Sequence, residues 1–401
     1  MNGFNKKFLF YIVGFFLIVF GFTATVEVST RIESKVSGKG FFLNVSEKEF
    51  YDSEVQDIYQ FHPFTGFVFK PNISISSGHP GQREKPTILV DTNGFLGDGT
   101  NISFHKAKNE IRIATIGAST TASINLAYQE NWPGRLRYLL QQVFPEKKIT
   151  LLNAAIPGFD TSQSLGNLAL RVMPFQPDIV IIYHAYNDLK TIRFDREFKP
   201  DYSHVHPVPF GFHEKPAWPK LLLEKSMLYV RLRSEYRAVV AQRKIVEAFY
   251  NSGRLQQVPH AAQEAFREHI QALVAVARSG GAEVVLSSFA TLHDPSFEYD
   301  VPDTDTVSGD LKQLELLSIM HFTPGLSLDA IFEGIRTYND QLAELASEND
   351  TYWVDNAGLV PHEERFFVDR VHFSAAGAAK MAENFLPEVA RIVRQKVLPE
   401  S

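Results

Sequence analysis

From Ile111 onward the sequence alternates short β-branched runs with amphipathic helical patterns, and this rhythm leaves few architectures open. The runs are IRIATIG (111–117), KITLLNAA (148–155), DIVIIYH (178–184), AEVVLSSF (282–289) and TYWVDN (351–356). DIVIIYH is apolar on both faces, as a central parallel strand must be when helices cover each side. Between the runs lie helical patterns: Leu136, Leu139, Leu140 and Val143, with Pro133 near the start; Leu165, Leu168, Ala169 and Val172; a segment near 262–279; and Ile331, Ile335, Tyr338, Leu342 and Leu345. Ser374 is placed to cap a last helix. The alternation predicts an α/β domain with a parallel sheet, helices on both faces and right-handed crossovers. Two stretches interrupt it. Residues 190–260 read as a Pro-, His- and Phe-rich loop followed by a helical stretch around 220–250, and 292–327 as an acidic, irregular insert.

The N-terminus obeys another rule. Phe8 to Val26 is nineteen residues without a charge, close to the length that spans a bilayer's roughly 30 Å hydrocarbon core. Lys6 and Lys7 precede it and Glu27 follows, so the positive-inside bias predicts a cytosolic N-terminus (1–7), a signal-anchor helix (8–26) and a body on the far side, periplasmic or extracytoplasmic. No A-x-A cleavage site follows the run, which favours an anchor over a cleaved signal peptide. Residues 27–108 lack helical periodicity; runs such as Phe67-Val68-Phe69 and Ile88-Leu89-Val90 predict a juxtamembrane linker and a β-rich extension, with the main domain at 109–397.

Composition removes several chemistries. With no cysteine in 401 residues, disulfide scaffolds, Cys-ligated zinc and thiol catalysis are excluded. A net charge of −6 argues against a nucleic-acid partner. No P-loop and no G-x-G-x-x-G follow a strand, so no cofactor is expected. His204, His206 and His213 sit in a Pro-rich loop without a carboxylate at ligand spacing, and no metal site is expected there.

In a parallel sheet, ligands bind outside the carboxyl ends of the strands, so the residues following each run decide function. They are Gly117-Ala118-Ser119-Thr120-Thr121, Ile156-Pro157-Gly158-Phe159-Asp160, Ala185-Tyr186-Asn187-Asp188 and, before the final helix, Asp369-Arg370-Val371-His372. A hydroxyl, a bare backbone amide, a side-chain amide and an Asp/His pair on one edge are the components of acyl transfer to serine. Serine needs a base, for which His372 is the candidate. Asp369 would fix its tautomer and stabilise the imidazolium. The backbone N–H groups of Ser119 and Gly158 and the side-chain amide of Asn187 are the candidate oxyanion hole.

Over roughly 109–395 these blocks resemble the SGNH hydrolases, also called GDSL-type esterases and lipases. IGAST surrounds Ser119, NAAIPGFDTSQ places Gly158, AYND places Asn187, and VDRVHFSAAG carries Asp369 and His372. HPFTGFVFKPN (62–72) and NGFLG (93–97) resemble the N-terminal extension of membrane-anchored bacterial members. The resemblance implies a flavodoxin-like three-layer α/β/α sandwich and hydrolysis or transfer of an acyl ester. Ala118 departs from the Asp of the family signature and Ala185 from the Gly of its third block; both put the pocket's shape, more than the mechanism, in question.

Two strings compete with these assignments. Gly325-Leu326-Ser327-Leu328 looks closer to a GDSL string, but follows no strand and reads as a helix cap. Asp201 and His204 repeat the Asp-x-x-His spacing inside the first insert, before two of the sheet strands. Asp160 and Asp188 read as caps or loop anchors. The expectation is a membrane-anchored serine esterase acting outside the cytoplasm, on an O-acylated glycan or another ester. An O-acyltransferase working with a multi-span membrane partner and a non-catalytic scaffold for envelope assembly are the alternatives.

Overall fold

The computed structural model describes residues 3–36, 58–76, 86–193, 196–206, 226–229, 231–233, 236, 253–301 and 310–397. It divides into two compact units, residues 1–57 with 208–246, and 58–207 with 247–401.

In the first unit a single helix, α1 (Gly3–Val36), contains the apolar run and continues beyond it. The linker expected from Glu27 is therefore helical for its first ten residues. The reason is local: Glu27 and Arg31 form an i,i+4 ion pair at 2.7 Å, and Thr25 and Thr30 return their hydroxyls to carbonyls one turn back. Residues 227–229 and 231–233 are helical; the remainder of the stretch expected around 220–250 lies outside the described residues, as does His213.

The second unit begins with a hairpin, β1 (Tyr59–His62) and β2 (Gly66–Phe69). The extension then supplies β3 (Ser74–Ser76), β4 (Thr87–Val90) and β5 (Leu96–Gly97). The main domain follows as β6 (Glu110–Gly117), α2 (Ser119–Ala122), α3 (Trp132–Val143), β7 (Lys148–Asn153), α4 (Thr161–Asn167), β8 (Ile179–Tyr183) and α5 (Tyr186–Leu189). After the first insert come α6 (His260–Ser279), β9 (Glu283–Ser287), α7 (Leu311–Phe322), α8 (Leu328–Glu348), β10 (Tyr352–Val354), α9 (Asn356–Leu359) and α10 (Ala375–Ile392).

The strands form one sheet in the order β10-β9-β8-β6-β7-β5-β4-β3. The five from β7 to β10 are parallel, in the flavodoxin-like arrangement, and β5, β4 and β3 continue it antiparallel. The extension is thus part of the central sheet, joined where Leu96 pairs with Asn153. Every residue of β6 and β8 is buried, because α3 packs with α10 while α6 packs against α4 and α8. Ser327 and Ser374 cap α8 and α10 through Ala330 N and Gly377 N.

Two local readings are corrected. Val143 lies exposed at the last turn of α3, where the helix runs past the core. The second insert is not irregular throughout, since α7 occupies much of it, capped by Asp310. Leucines at 311, 314, 316 and 317 circle the helix rather than forming a stripe, which hides its period from a pattern search.

Candidate active site

The order of the parallel strands reverses between β6 and β8, and the crevice at their carboxyl ends is where such sheets bind ligands. Ser119 stands there as the first residue of α2, half-buried. The turn reaching it is tight: a Cβ on Gly117 would come within 2.2 Å of Thr121 Oγ1 and 2.9 Å of the Tyr183 carbonyl, so only glycine fits. The Trp132 indole, stacked on Phe385, donates to the Thr120 carbonyl at 3.1 Å and braces α2 from beneath.

Gly158 follows β7. Its φ of +88° is a conformation L-residues avoid, and the space where a Cβ would sit is open. The loop therefore turns its backbone outward beside β6, held by Ile156 N donating to the Gly117 carbonyl. Asn187, on α5, donates its Nδ2 to the Phe159 carbonyl at 2.8 Å, tying the amide to the loop that carries Gly158.

Asp369 and His372 occupy a loop closed by a β-bridge between the buried residues Phe367 and Phe373. Asn125, just beyond α2, donates to the Phe373 carbonyl at 3.1 Å and fastens this loop to the Ser119 side of the crevice. His372 Nδ1 meets Asp369 Oδ2 at 2.6 Å, while Asp369 Oδ1 accepts from the backbone N–H of His372 at 2.7 Å and of Val371 at 2.9 Å. Burial alone would raise the Asp369 carboxyl, but His372 and these two N–H groups outweigh it and hold the acid well below the usual carboxylate range. A fixed carboxylate at Nδ1 places the proton there, which leaves Nε2 of the neutral ring free to act as a base.

Ser119, Asn187 and Val371, the neighbour of His372, line one pocket with Tyr186 and Phe289. Its volume is about 10 Å³, room for about one water. The structure thus brings the candidate serine, the amide donor and the Asp/His loop together around a small, mostly apolar space.

The competing strings lie elsewhere. Asp201 accepts from Ser203 N, and His204 faces the Thr191 carbonyl at 2.8 Å, so that pair is a loop anchor. His206 reaches Asp160 Oδ2 at 2.9 Å. Asp160 caps α4 through Gln163 N; burial alone would push its pKa up, but the His206 contact keeps it low. Asp188 is buried, accepts from Thr161 N and Oγ1, and is pushed upward by burial and by the neighbouring Asp160 charge.

Three residues escaped the pattern reading. Lys190 donates to Asn187 Oδ1 at 3.1 Å, and the i,i+3 spacing of the two was the available signal. Arg370, between Asp369 and His372, donates to the Tyr186 hydroxyl at 3.0 Å and packs on Phe322. Phe289 stacks on Tyr183 with ring centroids 4.9 Å apart and walls the pocket.

The GDSL-like lipase/acylhydrolase family matches residues 115–380. No curated protein matches the chain. Among solved structures, the acetylxylan esterase Axe2 from Geobacillus stearothermophilus is similar at 15% identity, covering 71% of this chain and 96% of that one, with a TM-score of 0.40. A GDSL-like lipase from Bacteroides thetaiotaomicron is similar at 11% identity, covering 71% and 91%, with a TM-score of 0.39. LAE5, an alpha/beta hydrolase from the metagenome of Lake Arreo, Spain, is similar at 15% identity, covering 74% and 99%, with a TM-score of 0.41.

Proposed function

The chain belongs to the GDSL-like lipase/acylhydrolase family and is an ester-hydrolysing enzyme, and from that premise we propose that Ser119 is its acyl carrier. The observation supporting this is the Asp369–His372 pair at 2.6 Å beside a pocket that also holds Ser119 and Asn187. His372 Nε2 takes the Ser119 proton as Oγ attacks the ester carbonyl. The backbone N–H groups of Ser119 and Gly158 and the Asn187 amide receive the oxyanion. The leaving alkoxide takes the proton back from His372, and water then resolves the acyl-enzyme with His372 again as base. Each donor of such a hole is worth about 2.7–4 kcal/mol of barrier.

The body works outside the cytoplasm on an O-acylated glycan or comparable ester, tethered by α1. Phe10, Phe15, Leu17, Ile18 and Phe20 on that helix are all exposed, a surface suited to lipid. An uncleaved anchor is favoured by the helix continuing unbroken through Val36. Glu27, beyond the apolar run, also accepts from Ser226 Oγ, Met227 N and Leu228 N at 2.8–2.9 Å, so the polar end of α1 is built into its own unit.

The test is labelling with a fluorophosphonate probe together with turnover of p-nitrophenyl acetate. Wild type is expected to carry one adduct on Ser119 and to show a burst of nitrophenol. Ser119→Ala is expected to lose both while keeping its thermal unfolding profile. A folded Ser119→Ala protein with wild-type turnover would remove the acyl-carrier role.

A further inference from the structure

We propose that Lys190 is a positioning residue for the oxyanion hole: its ammonium, donating to Asn187 Oδ1, fixes and polarises the amide that receives the developing charge. The proposal rests on the acyl-enzyme reading above.

The argument starts from hydrogen-bond inventory. An asparagine amide is symmetric in shape, so nothing steric says which end faces the substrate. Here chemistry decides. The Lys190 ammonium can only donate, and it meets Asn187 Oδ1 at 3.1 Å. The Phe159 carbonyl can only accept, and it meets Asn187 Nδ2 at 2.8 Å. With Oδ1 held by a cation and one N–H by a carbonyl, the second N–H is left for the pocket that Asn187 shares with Ser119. Drawing electron density toward Oδ1 also makes that N–H a stronger donor.

Lys190 is itself held in place. Its Nζ lies 5.4 Å from the centre of the Tyr186 ring and 5.6 Å from that of Phe322. The same two rings carry Arg370, at 5.7 Å and 4.1 Å. Arg370 in turn is anchored by the Tyr186 hydroxyl, Ser318 Oγ and Glu315. A lysine confined between aromatic faces and a second cation is an expensive way to orient an amide, unless the charge itself is used.

The charged groups facing Lys190 are Arg370 and Asp369 from the His372 loop, with Glu315 of α7 behind Arg370 and the Tyr186 phenol on α5. Burial first, and then the Arg370 charge, push the lysine down to about 8, while Asp369 opposes them. The ammonium therefore discharges in an accessible range, and its loss should be visible in turnover.

The experiment compares wild type, Lys190→Met and Lys190→Arg on p-nitrophenyl acetate from about pH 6 to 9.5. Ser119→Ala serves as the blank. In wild type, kcat is expected to fall with an apparent pKa near 8. Lys190→Met is expected to lower kcat about 10- to 100-fold at neutral pH, with KM within about twofold and no alkaline limb. Lys190→Arg keeps a charge that does not titrate in this range, so it is expected to retain more of kcat and also lose the limb. If Lys190→Met fails to fold, the arginine profile decides alone. An alkaline limb at the wild-type position in either folded variant, or wild-type kcat in Lys190→Met, overturns the proposal while leaving the Ser119 reading intact. A wild-type protein with no Ser119-dependent turnover would instead remove the reading beneath it.

Discussion

The Asn187→Asp substitution tests the oxyanion hole with the smallest available change, one NH₂ exchanged for an oxygen. Its magnitude can be built from three contacts. The pocket-facing N–H disappears, which costs about 2.7–4 kcal/mol of transition-state stabilisation, or about 10²- to 10³-fold in rate. A carboxylate also places negative charge beside the developing oxyanion. At about 4 Å, with an effective dielectric near 20, that repulsion is about 4 kcal/mol. Lys190, at 3.1 Å from Asn187 Oδ1, would neutralise much of it. The rate loss is therefore expected between about 10² and 10⁴. The third contact concerns the fold. The Phe159 carbonyl, 2.8 Å from Nδ2 in the wild type, would face an acceptor instead of a donor, and an unsatisfied buried acceptor costs about 1–3 kcal/mol. Stopped-flow measurement of the acylation burst with p-nitrophenyl acetate reads the first two effects, and urea unfolding of the same preparations reads the third. An acylation rate within about threefold of wild type, in a protein that has lost stability as expected, would show that Asn187 is not an oxyanion donor.

Two further substitutions probe the flanks of the site. Asp369→Asn should reduce kcat by about 10³- to 10⁴-fold, because an amide cannot both fix the Nδ1–H tautomer and stabilise the imidazolium. Its stability signature has a defined sign. The Asp369 carboxyl sits below its unfolded value of 3.8, so its stabilisation is full above that value and is lost as the pH falls toward the folded one. The stability gap between wild type and variant, from urea unfolding, should shrink from pH 4 toward pH 2 (about these limits); a gap that widens on acidification contradicts the assignment. Phe289→Leu shortens the aromatic wall that stacks on Tyr183, and the ratio of kcat/KM for p-nitrophenyl butyrate over acetate should rise about tenfold. An unchanged ratio would place the acyl group elsewhere.

What was legible in the sequence follows from how local each signal is. Strand β8 announces itself because covering both faces of a parallel strand demands an unbroken apolar run, and all five of its residues are buried. Ser119, Gly158, Asn187 and Asp369 could be singled out as candidates because each follows a strand or precedes a capped helix, so one-dimensional order maps onto one edge of the sheet. Non-local pairing was not legible. Nothing in Ile88-Leu89-Val90 says that β4 will pair with β3 and β5 and so extend the main sheet. The polar end of α1 also receives a contact from Ser226, about two hundred residues away, which no local pattern announces. Lys190 was hidden for the same reason: its neighbours Phe322 and Arg370 come from α7 and from the loop before α10, and only folding reveals that a surface-type residue is enclosed.

The departures at Ala118 and Ala185 take on a different weight once the backbone is seen. Ala118 has φ −111° and Ala185 φ −173°, so neither sits in the left-handed region that favours glycine. A pocket surviving only as scaffold would also be expected to relax its buried charges, since an apolar side chain in place of an enclosed ammonium is neutral or stabilising. Here Lys190 stays enclosed and directed at Asn187, and Asp369 stays saturated by three donors. The Lys190 arrangement costs stability or is neutral to it and suits a negative charge developing next to Asn187; the Asp369 carboxylate stabilises the fold and also suits a positive charge on His372. That coincidence of cost and geometry argues for a working active site in which the two alanines alter shape and leave the charge machinery in place.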